Sequence, residues 1–430
     1  MDINRKTAYQ VLADIEKKKS YSNISLNHHI IINKPNNQAF VRRLVYGVLE
    51  NKILLDYVID KLIPKDISSL KVADLIILRM GVYQLAKMDS VPEYAAVNES
   101  VRLAKRYARG RSGFINGVLR AYIDKRLTIK LPDRNDDVIH YLSVKYSFAP
   151  WIVQLWLEHY DMEFVEALLK ASNYAPETTI RLNWLKVMKP DLLEKLHANG
   201  FDVKEGKYSQ NAIHVKGSGL LDDRMYKDGL FSVQDEASQV AVQMFAPKKG
   251  ETVVDVCAAP GGKTLAMGER MNNQGRIIAS DIYKRKMEIV DREAKRLGIY
   301  NIETRTWDAT RVDSSLIGKA DKVLVDAPCS GLGVIRRKPE IKFKEQTVAT
   351  KLLPEKQRQI LAASANYLKP GGELMYCTCT INPKENEQIV SDFLKKNRQF
   401  SLDETKQLLP QINGTDGFFI CRLKKHNDLV

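Results

Sequence analysis

The sequence predicts a multidomain protein with an all-α front, a small α+β domain and a C-terminal α/β domain. Residues 1–130 show only helical periodicity, residues 140–230 mix helical and alternating patterns, and in residues 231–425 short apolar runs alternate with helical segments. The length of 430 residues is enough for two to four domains of ordinary size.

Positive charge is concentrated in the front domain. The chain has 67 Lys and Arg residues against 52 Asp and Glu residues, a net charge of +15. Residues 1–130 hold 23 basic and 12 acidic side chains, so +11 of that charge lies in the first third. A basic domain beside a nearly neutral remainder predicts a polyanionic partner, and the alternative is that all proteins of the source organism are basic.

A basic stripe is predicted between Val91 and Arg120. Apolar residues recur there at three- and four-residue steps, namely Tyr94, Val97, Val101, Ala104 and Ala108. The opposite helix face carries four basic residues, Arg102, Lys105, Arg106 and Arg109. With the charge of the whole domain, the stripe predicts contact with phosphates, whereas alone it would also fit a solvated helix face.

The middle of the chain reads as a small α+β domain with no recognisable chemistry. The segment Leu131–Asn135, LPDRN, is a plausible linker before it. The domain has two predicted helices and two predicted strands, Ala149–Tyr160, Met162–Ala171, Thr179–Leu182 and Ala212–Lys216.

The C-terminal domain alternates between strands and helices. The predicted strands are Thr252–Cys257, Arg276–Ser280, Ile302–Thr306, Lys322–Val325 and Glu373–Tyr376. The predicted helices between them are Thr264–Met271, Lys284–Leu297 and Glu355–Leu368. This alternation predicts a parallel sheet covered on both faces, with ligands at the carboxyl ends of its strands, and Phe418–Leu423 would complete the sheet.

The first of these strands runs into a glycine turn, VVDVCAAPGGKT. Gly261 and Gly262 let the backbone approach a ligand, and the helix N-terminus with Lys263 offers donors to an anion. Asp281, nineteen residues beyond Gly262, stands where nucleotide-binding α/β folds bond a ribose. Two further strand ends carry Asp308 and Asp326, so the pattern predicts a nucleoside cofactor, with helix capping as the alternative for any one Asp.

The five cysteines all lie in the second half of the chain, beginning at Cys257. Their odd number argues against a disulfide framework, and the CxC spacing and distant histidines predict no metal site. The charged start of the chain and the lack of a long apolar run predict a cytoplasmic protein without a membrane span.

Cys329 and Cys379 follow two predicted strands. If those strands are neighbours, their ends lie about 5 Å apart, and both thiols face the cofactor site. A nucleophilic role requires a thiol pKa lowered by about two units, which proximity to Lys263 permits. The other cysteines, Cys257, Cys377 and Cys421, lie in predicted strands and are expected to be small buried residues.

Four segments resemble the RNA (cytosine-5)-methyltransferase family, which uses S-adenosyl-L-methionine on a Rossmann-like domain: VVDVCAAPGGKT, DAPCSGLGVIRRKPEIKF, GGELMYCTCTINPKENEQIV and DGFFICRL. The front, with VPEYAAVNESVRLAKRY and GFINGVLRA, resembles a NusB-type RNA-binding domain. Together they are similar to the bacterial members that act on 16S rRNA. One departure is Thr380, because the family usually has Ser after the TC cysteine.

The resemblance implies an enzyme with particular site residues. Cys379 would add to carbon 6 of cytosine, Cys329 would assist loss of the carbon 5 proton and release, and Asp326 would bond ring nitrogen 3. The resemblance places the cofactor along Cys257, Ala258, Ala259, Pro260, Gly261, Gly262 and Lys263, with Asp281 at its ribose, Asp308 at its adenine and Asp326 beside it.

The methyl acceptor must be an unstacked base, so loop or single-stranded RNA is the expected substrate. Three basic residues past Cys329 could hold flanking phosphates, Arg336, Arg337 and Lys338, with a solvated turn as the alternative. Methylation of tRNA and a non-catalytic role in ribosome assembly are the other functions considered. Enzymes acting on DNA use the PC cysteine as nucleophile, so the added TC cysteine favours RNA.

Overall fold

The structure is a computed structural model that describes residues 1–18 and 20–427. The chain forms two compact units. The first comprises residues 1–173 and 337–344, and the second comprises the other described residues. In this described part of the chain, every helix is too short or too polar to cross a bilayer.

The first unit is all-helical. Its ten α-helices are α1 (Ile3–Lys18), α2 (Ser22–Asn33), α3 (Gln38–Glu50), α4 (Lys52–Asp60), α5 (Val72–Lys87), α6 (Glu93–Tyr107), α7 (Ser112–Lys125), α8 (Val138–Tyr146), α9 (Pro150–Leu157) and α10 (Met162–Ala171). Side-chain caps define several of their starts, as where Asp161 accepts a 2.8 Å bond from the Phe164 amide. Residues 61–71 and 108–111 lie between α-helices, so Gly110 is in the second of these turns, whereas Ser112 and Gly113 already belong to α7.

The predicted basic stripe is divided between a helix and a turn. Helix α6 ends at Tyr107, so Arg109 lies in the turn that follows it. Val97 is buried as predicted, but the expectation for Tyr94 was wrong because its side chain is 72% exposed. Tyr94 occupies the first turn of α6, beyond the region where that helix face meets the core.

One segment of the first unit comes from much later in the sequence. Residues 337–344 include a 3₁₀ turn at Pro339–Phe343 and belong to the helical unit. Within that unit, Glu340 accepts a 2.8 Å hydrogen bond from the Ser22 hydroxyl. Lys344 accepts a 3.1 Å bond at its carbonyl from the Trp151 indole. Sequence periodicity gave no signal for this placement.

The second unit contains two sheets. The smaller sheet is antiparallel with strand order β2-β3-β1-β4, and its strands are β1 (Thr178–Leu182), β2 (Asp202–Glu205), β3 (Ala212–Lys216) and β4 (Phe231–Val233). Its helices are α11 (Lys189–Ala198) and α12 (Arg224–Lys227). Helices α9 and α10, which correspond to the two helices predicted for the α+β domain, belong to the first unit, whereas the strands of that domain belong to the second.

The larger sheet has seven strands in the order β10-β11-β9-β8-β5-β6-β7. Its strands are β5 (Thr252–Asp255), β6 (Arg276–Asp281), β7 (Ile302–Thr306), β8 (Ala320–Asp326), β9 (Leu368–Thr378), β10 (Phe400–Leu408) and β11 (Phe418–Lys425). The accompanying helices are α13 (Glu236–Phe245), α14 (Gly262–Arg270), α15 (Lys284–Leu297), α16 (Leu353–Ser364), α17 (Glu387–Lys396) and α18 (Pro410–Asn413).

The larger sheet is mixed rather than wholly parallel. The five strands β5 to β9 pair in parallel, as predicted, whereas β11 runs antiparallel to both β9 and β10. Strand β10 has no sequence signal, because its side chains are mostly polar and exposed, and the main-chain ladder with β11 supports it at the edge. Two apolar clusters cover the faces: Val254 belongs to one and Val253 to the other.

Candidate active site

Carboxylates line the carboxyl edge of four adjacent strands, β8, β5, β6 and β7. They end the strands or follow them closely, and they are Asp326, Asp255, Asp281 and Asp308 respectively. Burial is the main cause of the raised pKa of the Cys257 thiol, and the charges of Asp255, Asp326 and Asp281 raise it further. Three of these carboxylates are therefore close enough to act on the same side chain. The predicted convergence at this edge is confirmed.

The glycine turn joins β5 to α14. Gly261 has φ of +106°, in the region that favours glycine, and a Cβ there would lie 3.1 Å from Val290 Cγ2. The Ala258 amide donates to the Ser280 carbonyl at 2.9 Å, which ties the turn to β6. The turn thus requires glycine at position 261 for its backbone conformation, and a Cβ there would also be crowded by Val290.

Arg181 of β1 supports the same turn from the smaller sheet. Its guanidinium donates to both carboxylate oxygens of Glu269, at 2.9 and 2.7 Å, and to the Gly262 carbonyl at 2.8 Å. Both charged side chains are buried, so each needs the other as a partner. No sequence pattern predicts this pair, since an Arg within a short alternating strand is normally directed to solvent.

Lys263 and Asp326 form a second ion pair, with 2.7 Å between Lys263 Nζ and Asp326 Oδ2. Burial opposes the charge of Lys263, but Asp326 and the thiols of Cys377 and Cys379 raise its pKa, so the ammonium is retained. The lysine also lies over the Phe418 ring, 4.6 Å from its centroid. A cation is therefore held permanently beside the cysteine motifs.

Asp281 and Asp308 both make local turn contacts. Asp281 Oδ1 accepts a 3.0 Å bond from the Tyr283 amide, and Asp308 Oδ1 accepts from the amide and hydroxyl of Thr310. These bonds from Thr310 lower the pKa of Asp308. The capping alternative therefore describes part of what each carboxylate does, and their roles toward a cofactor stay predictions.

Cys329 and Cys379 lie side by side, with 3.4 Å between their sulfur atoms. They are brought together because β8 and β9 are parallel neighbours, with Asp326 paired with Cys377. The predicted proximity is confirmed. The hydrogen bond to Cys379, and then burial, raise the pKa of Cys329, which is the opposite of the lowering that a nucleophilic thiol requires.

The remaining three cysteines occupy different environments. Cys377 and Cys421 are completely buried within β9 and β11, as predicted. Cys257 follows the end of β5 and is half-buried, so it lies in the turn rather than in the strand. No group of three or more His, Cys, Asp or Glu side chains suited to a metal ion occurs among residues 1–18 and 20–427.

Arg336 is engaged by protein carboxylates. Its side chain is 8% exposed and bonds Asp416 at 2.7 Å, with Asp235 3.9 Å away. The expected phosphate contact of Arg336 is wrong, because its charge is already neutralised inside the fold. Arg337 is half-buried and Lys338 is exposed, and their phosphate contacts stay predictions.

The four basic stripe residues are all exposed, Arg102, Lys105, Arg106 and Arg109. Arg102 also pairs with Glu99 at 2.7 Å, and Arg106 lies over the Tyr107 ring. The stripe therefore presents its charge at the surface of the first unit, partly offset at Arg102. Binding of RNA phosphates by this stripe stays a prediction.

Family models match three stretches of the chain. Residues 242–424 match "16S rRNA methyltransferase RsmB/F", and residues 2–124 match the NusB family. Residues 148–220 match the ferredoxin-like domain of RsmF/B-like methyltransferases. The predicted fold class is confirmed: a NusB helical domain, a small α+β domain and a methyltransferase domain.

Relatives are similar along nearly their whole length. The probable ribosomal RNA small subunit methyltransferase B of Bacillus subtilis is 34% identical, with 98% of each chain covered. The corresponding Synechocystis protein is 31% identical, covering 98% of this chain and 99% of its own. Among solved structures, PH0851 has a TM-score of 0.83 and 26% identity, covering 97% of this chain and 98% of the other. NSun6 from Pyrococcus horikoshii with SFG has a TM-score of 0.58 and 22% identity. The shared fold covers 64% of this chain and 98% of the NSun6 chain.

Proposed function

Since the chain belongs to the family of ribosomal RNA small subunit methyltransferase B, we propose that it methylates carbon 5 of a cytosine in 16S rRNA through a covalent cysteine adduct. The observation that carries this proposal is the 3.4 Å approach of Cys329 and Cys379 beside the carboxylate edge. A methyltransferase that acted on an exposed amine or oxygen would need neither thiol.

The residues at the glycine turn fit S-adenosyl-L-methionine. This cofactor supplies a methyl group on a positively charged sulfur. The N-terminus of α14, with the turn Cys257–Lys263, suits the methionine carboxylate, because backbone N–H groups and the helix dipole favour an anion. Asp281 at the end of β6 suits the ribose hydroxyls, and Asp308 suits the amino group of adenine.

Cys379 acts first in the proposed reaction. Its thiolate forms a bond to carbon 6 of the cytosine, and the electron pair of the 5,6 double bond moves into the ring. In its protonated form Asp326 donates a hydrogen bond to ring nitrogen 3, and the Lys263 ammonium, 2.7 Å from Asp326, stabilises the negative charge that develops. Carbon 5 thereby becomes nucleophilic enough to accept the methyl group.

Cys329 acts second. In its thiolate form it takes up the proton of carbon 5, and the electrons of that C–H bond restore the double bond. In the same step the bond between carbon 6 and sulfur breaks, and its electron pair returns to Cys379.

Two single substitutions test these roles. Cys379→Ala should abolish methylation and form no covalent complex, because the ring is never activated. Cys329→Ala should still attack and methylate, but should accumulate protein joined to RNA because the adduct is not resolved. Denaturing gel electrophoresis after incubation with RNA and cofactor measures the covalent complex, and buried Cys421→Ala serves as the thiol control.

Three other results would contradict parts of this proposal. A shifted band with Cys379→Ala but not with Cys329→Ala would reverse the two roles, and full activity in both variants would contradict covalent catalysis. Bisulfite sequencing of rRNA and tRNA from cells with and without the protein identifies the substrate. Loss of a methylated cytosine from tRNA alone would contradict the 16S rRNA assignment.

A further inference from the structure

A buried carboxylate lies behind the two thiols. Glu385, between β9 and α17, has 0% exposure and accepts four hydrogen bonds. Ser330 donates two of them, its amide at 2.8 Å to Oε2 and its hydroxyl to Oε1. Asn382 donates at 2.8 Å and Gln357 at 2.9 Å. Burial raises the pKa of Glu385, and these hydrogen bonds act in the opposite direction, since they favour the ionised form.

The residues that follow the two cysteines are joined to each other. Ser330 follows Cys329, Thr380 follows Cys379, and their hydroxyl oxygens are 2.7 Å apart. The Leu332 amide bonds the Thr380 hydroxyl at 3.3 Å. Because a carboxylate only accepts, the Ser330 hydroxyl donates to Glu385 and accepts from Thr380. The chain of donors therefore runs in one direction, from Leu332 through Thr380 and Ser330 to Glu385.

Two further hydrogen bonds hold the backbone next to each of the two cysteines. Gln357 of α16 also donates to the Pro328 carbonyl at 2.9 Å, on the N-terminal side of Cys329. Asn386 donates to the Thr380 carbonyl at 3.0 Å, on the C-terminal side of Cys379. Each cysteine is thus held through backbone groups next to it.

We propose that Glu385 is a positioning residue which, through the Ser330 and Thr380 hydroxyls, sets the separation of the Cys329 and Cys379 sulfur atoms. The inference rests on the proposed function for its role in catalysis, since ordered attack and release need both thiols within reach of one base. The hydroxyl at position 380 is a required member of this network, which explains why Thr can stand where Ser is usual. A residue that only stabilised the fold would not control the geometry of the two thiols.

The first test measures that geometry without any RNA. Diamide oxidises two neighbouring thiols to a disulfide and is itself reduced to the hydrazine, so its rate reports the Cys329–Cys379 separation. Glu385→Gln directs an amide N–H₂ toward groups that also donate, which opens the network. We expect disulfide formation, measured by mass spectrometry of peptides, to slow by at least about tenfold. Glu387→Gln, an exposed carboxylate two residues away, should leave it unchanged.

The second test uses a matched pair at position 380. Thr380→Ser keeps the hydroxyl, and Thr380→Val keeps the shape and removes it. We expect Thr380→Val to lower single-turnover methylation by at least about tenfold with unchanged affinity for S-adenosyl-L-methionine, and Thr380→Ser to retain the wild-type rate. The same pair should show the same order in diamide oxidation.

Each result supports or overturns the proposal. Wild-type oxidation rates in folded Glu385→Gln, or equal rates in Thr380→Val and Thr380→Ser, would overturn it. If Glu385→Gln does not fold, the Thr380 pair decides, because both of its variants preserve the buried carboxylate. If Glu385→Gln slows oxidation but the wild-type protein methylates no RNA, the proposed function is contradicted, while the positioning role of Glu385 is still supported.

Discussion

The Lys342 side-chain nitrogen donates a 2.9 Å hydrogen bond to the Glu50 carbonyl, although 292 positions separate them in sequence. Lys342 has 0% exposure, bonds Asn173 Oδ1 at 2.5 Å and lies over the Phe148 ring. Burial lowers the pKa of Lys342 to about 7, partly opposed by the Glu50 carboxylate. Lys342, four residues past the last of the basic residues expected to hold RNA phosphates, thus belongs to the core of the helical unit.

Because the pKa of Lys342 is lowered, we predict that the protein becomes more stable as pH rises. Between the folded pKa of about 7 and the unfolded value of 10.5, the unfolded chain binds more protons, so the free energy of unfolding increases as pH rises. From pH 7 to pH 9 the contribution is on the order of 2 kcal/mol. Guanidinium unfolding at both pH values should show the rise in wild type and in Lys65→Met, an exposed control, but not in Lys342→Met. An equal rise in all three proteins would contradict it.

For Asp255 we predict that stability changes with pH in the opposite direction, and at lower pH. Burial raises its pKa to about 7, Thr264 donates to Oδ2 at 2.7 Å, and Oδ1 is a buried atom without a hydrogen-bond partner. Between pH 4 and pH 7 the folded protein binds the extra proton, so stability falls as pH rises through this range. Asp255→Asn should lack that component of the pH profile in calorimetry. Asp222→Asn, at an exposed site, should keep it, and parallel profiles for wild type and Asp255→Asn would refute the prediction.

Asp281 should contribute to cofactor affinity. Asp281→Ala is expected to weaken calorimetric binding of S-adenosyl-L-methionine by at least about 1 kcal/mol, the scale of a lost charge-assisted bond. Asp281→Asn keeps an acceptor for the Tyr283 amide and separates the capping role from the cofactor role. Unchanged affinity in Asp281→Ala, with only a lower melting temperature, would show that capping is its whole function.

The basic stripe should contribute RNA affinity without taking part in the chemistry. Replacing its four residues with Gln should reduce the slope of log affinity against log salt by a little under one unit per lost phosphate contact, and by a few units in total. The control replaces four exposed lysines of the second unit, Lys195, Lys204, Lys227 and Lys248. The same salt slope as wild type after removal of the stripe would identify it as a solvated surface.

Local patterns in the sequence determined the α/β order and the edge on which the site lies. The predicted bounds of α15 and β7 match the structure, and the strand ends carry Asp281 and Asp326 to one edge. Periodicity reports which face of an element is buried, and strand adjacency then brings Cys329 and Cys379 together. The segments resembling a methyltransferase lie on these same strands and turns.

Only the tertiary structure decided what the buried charged groups do. Glu385, Lys342 and Arg336 look like ordinary surface residues in the sequence, yet they are held by Ser330, Glu50 and Asp416 from distant positions. The reason is physical: a charge can be buried only where several donors or acceptors converge on it, and that convergence depends on chain segments tens or hundreds of residues apart. Local periodicity contains no information about such partners.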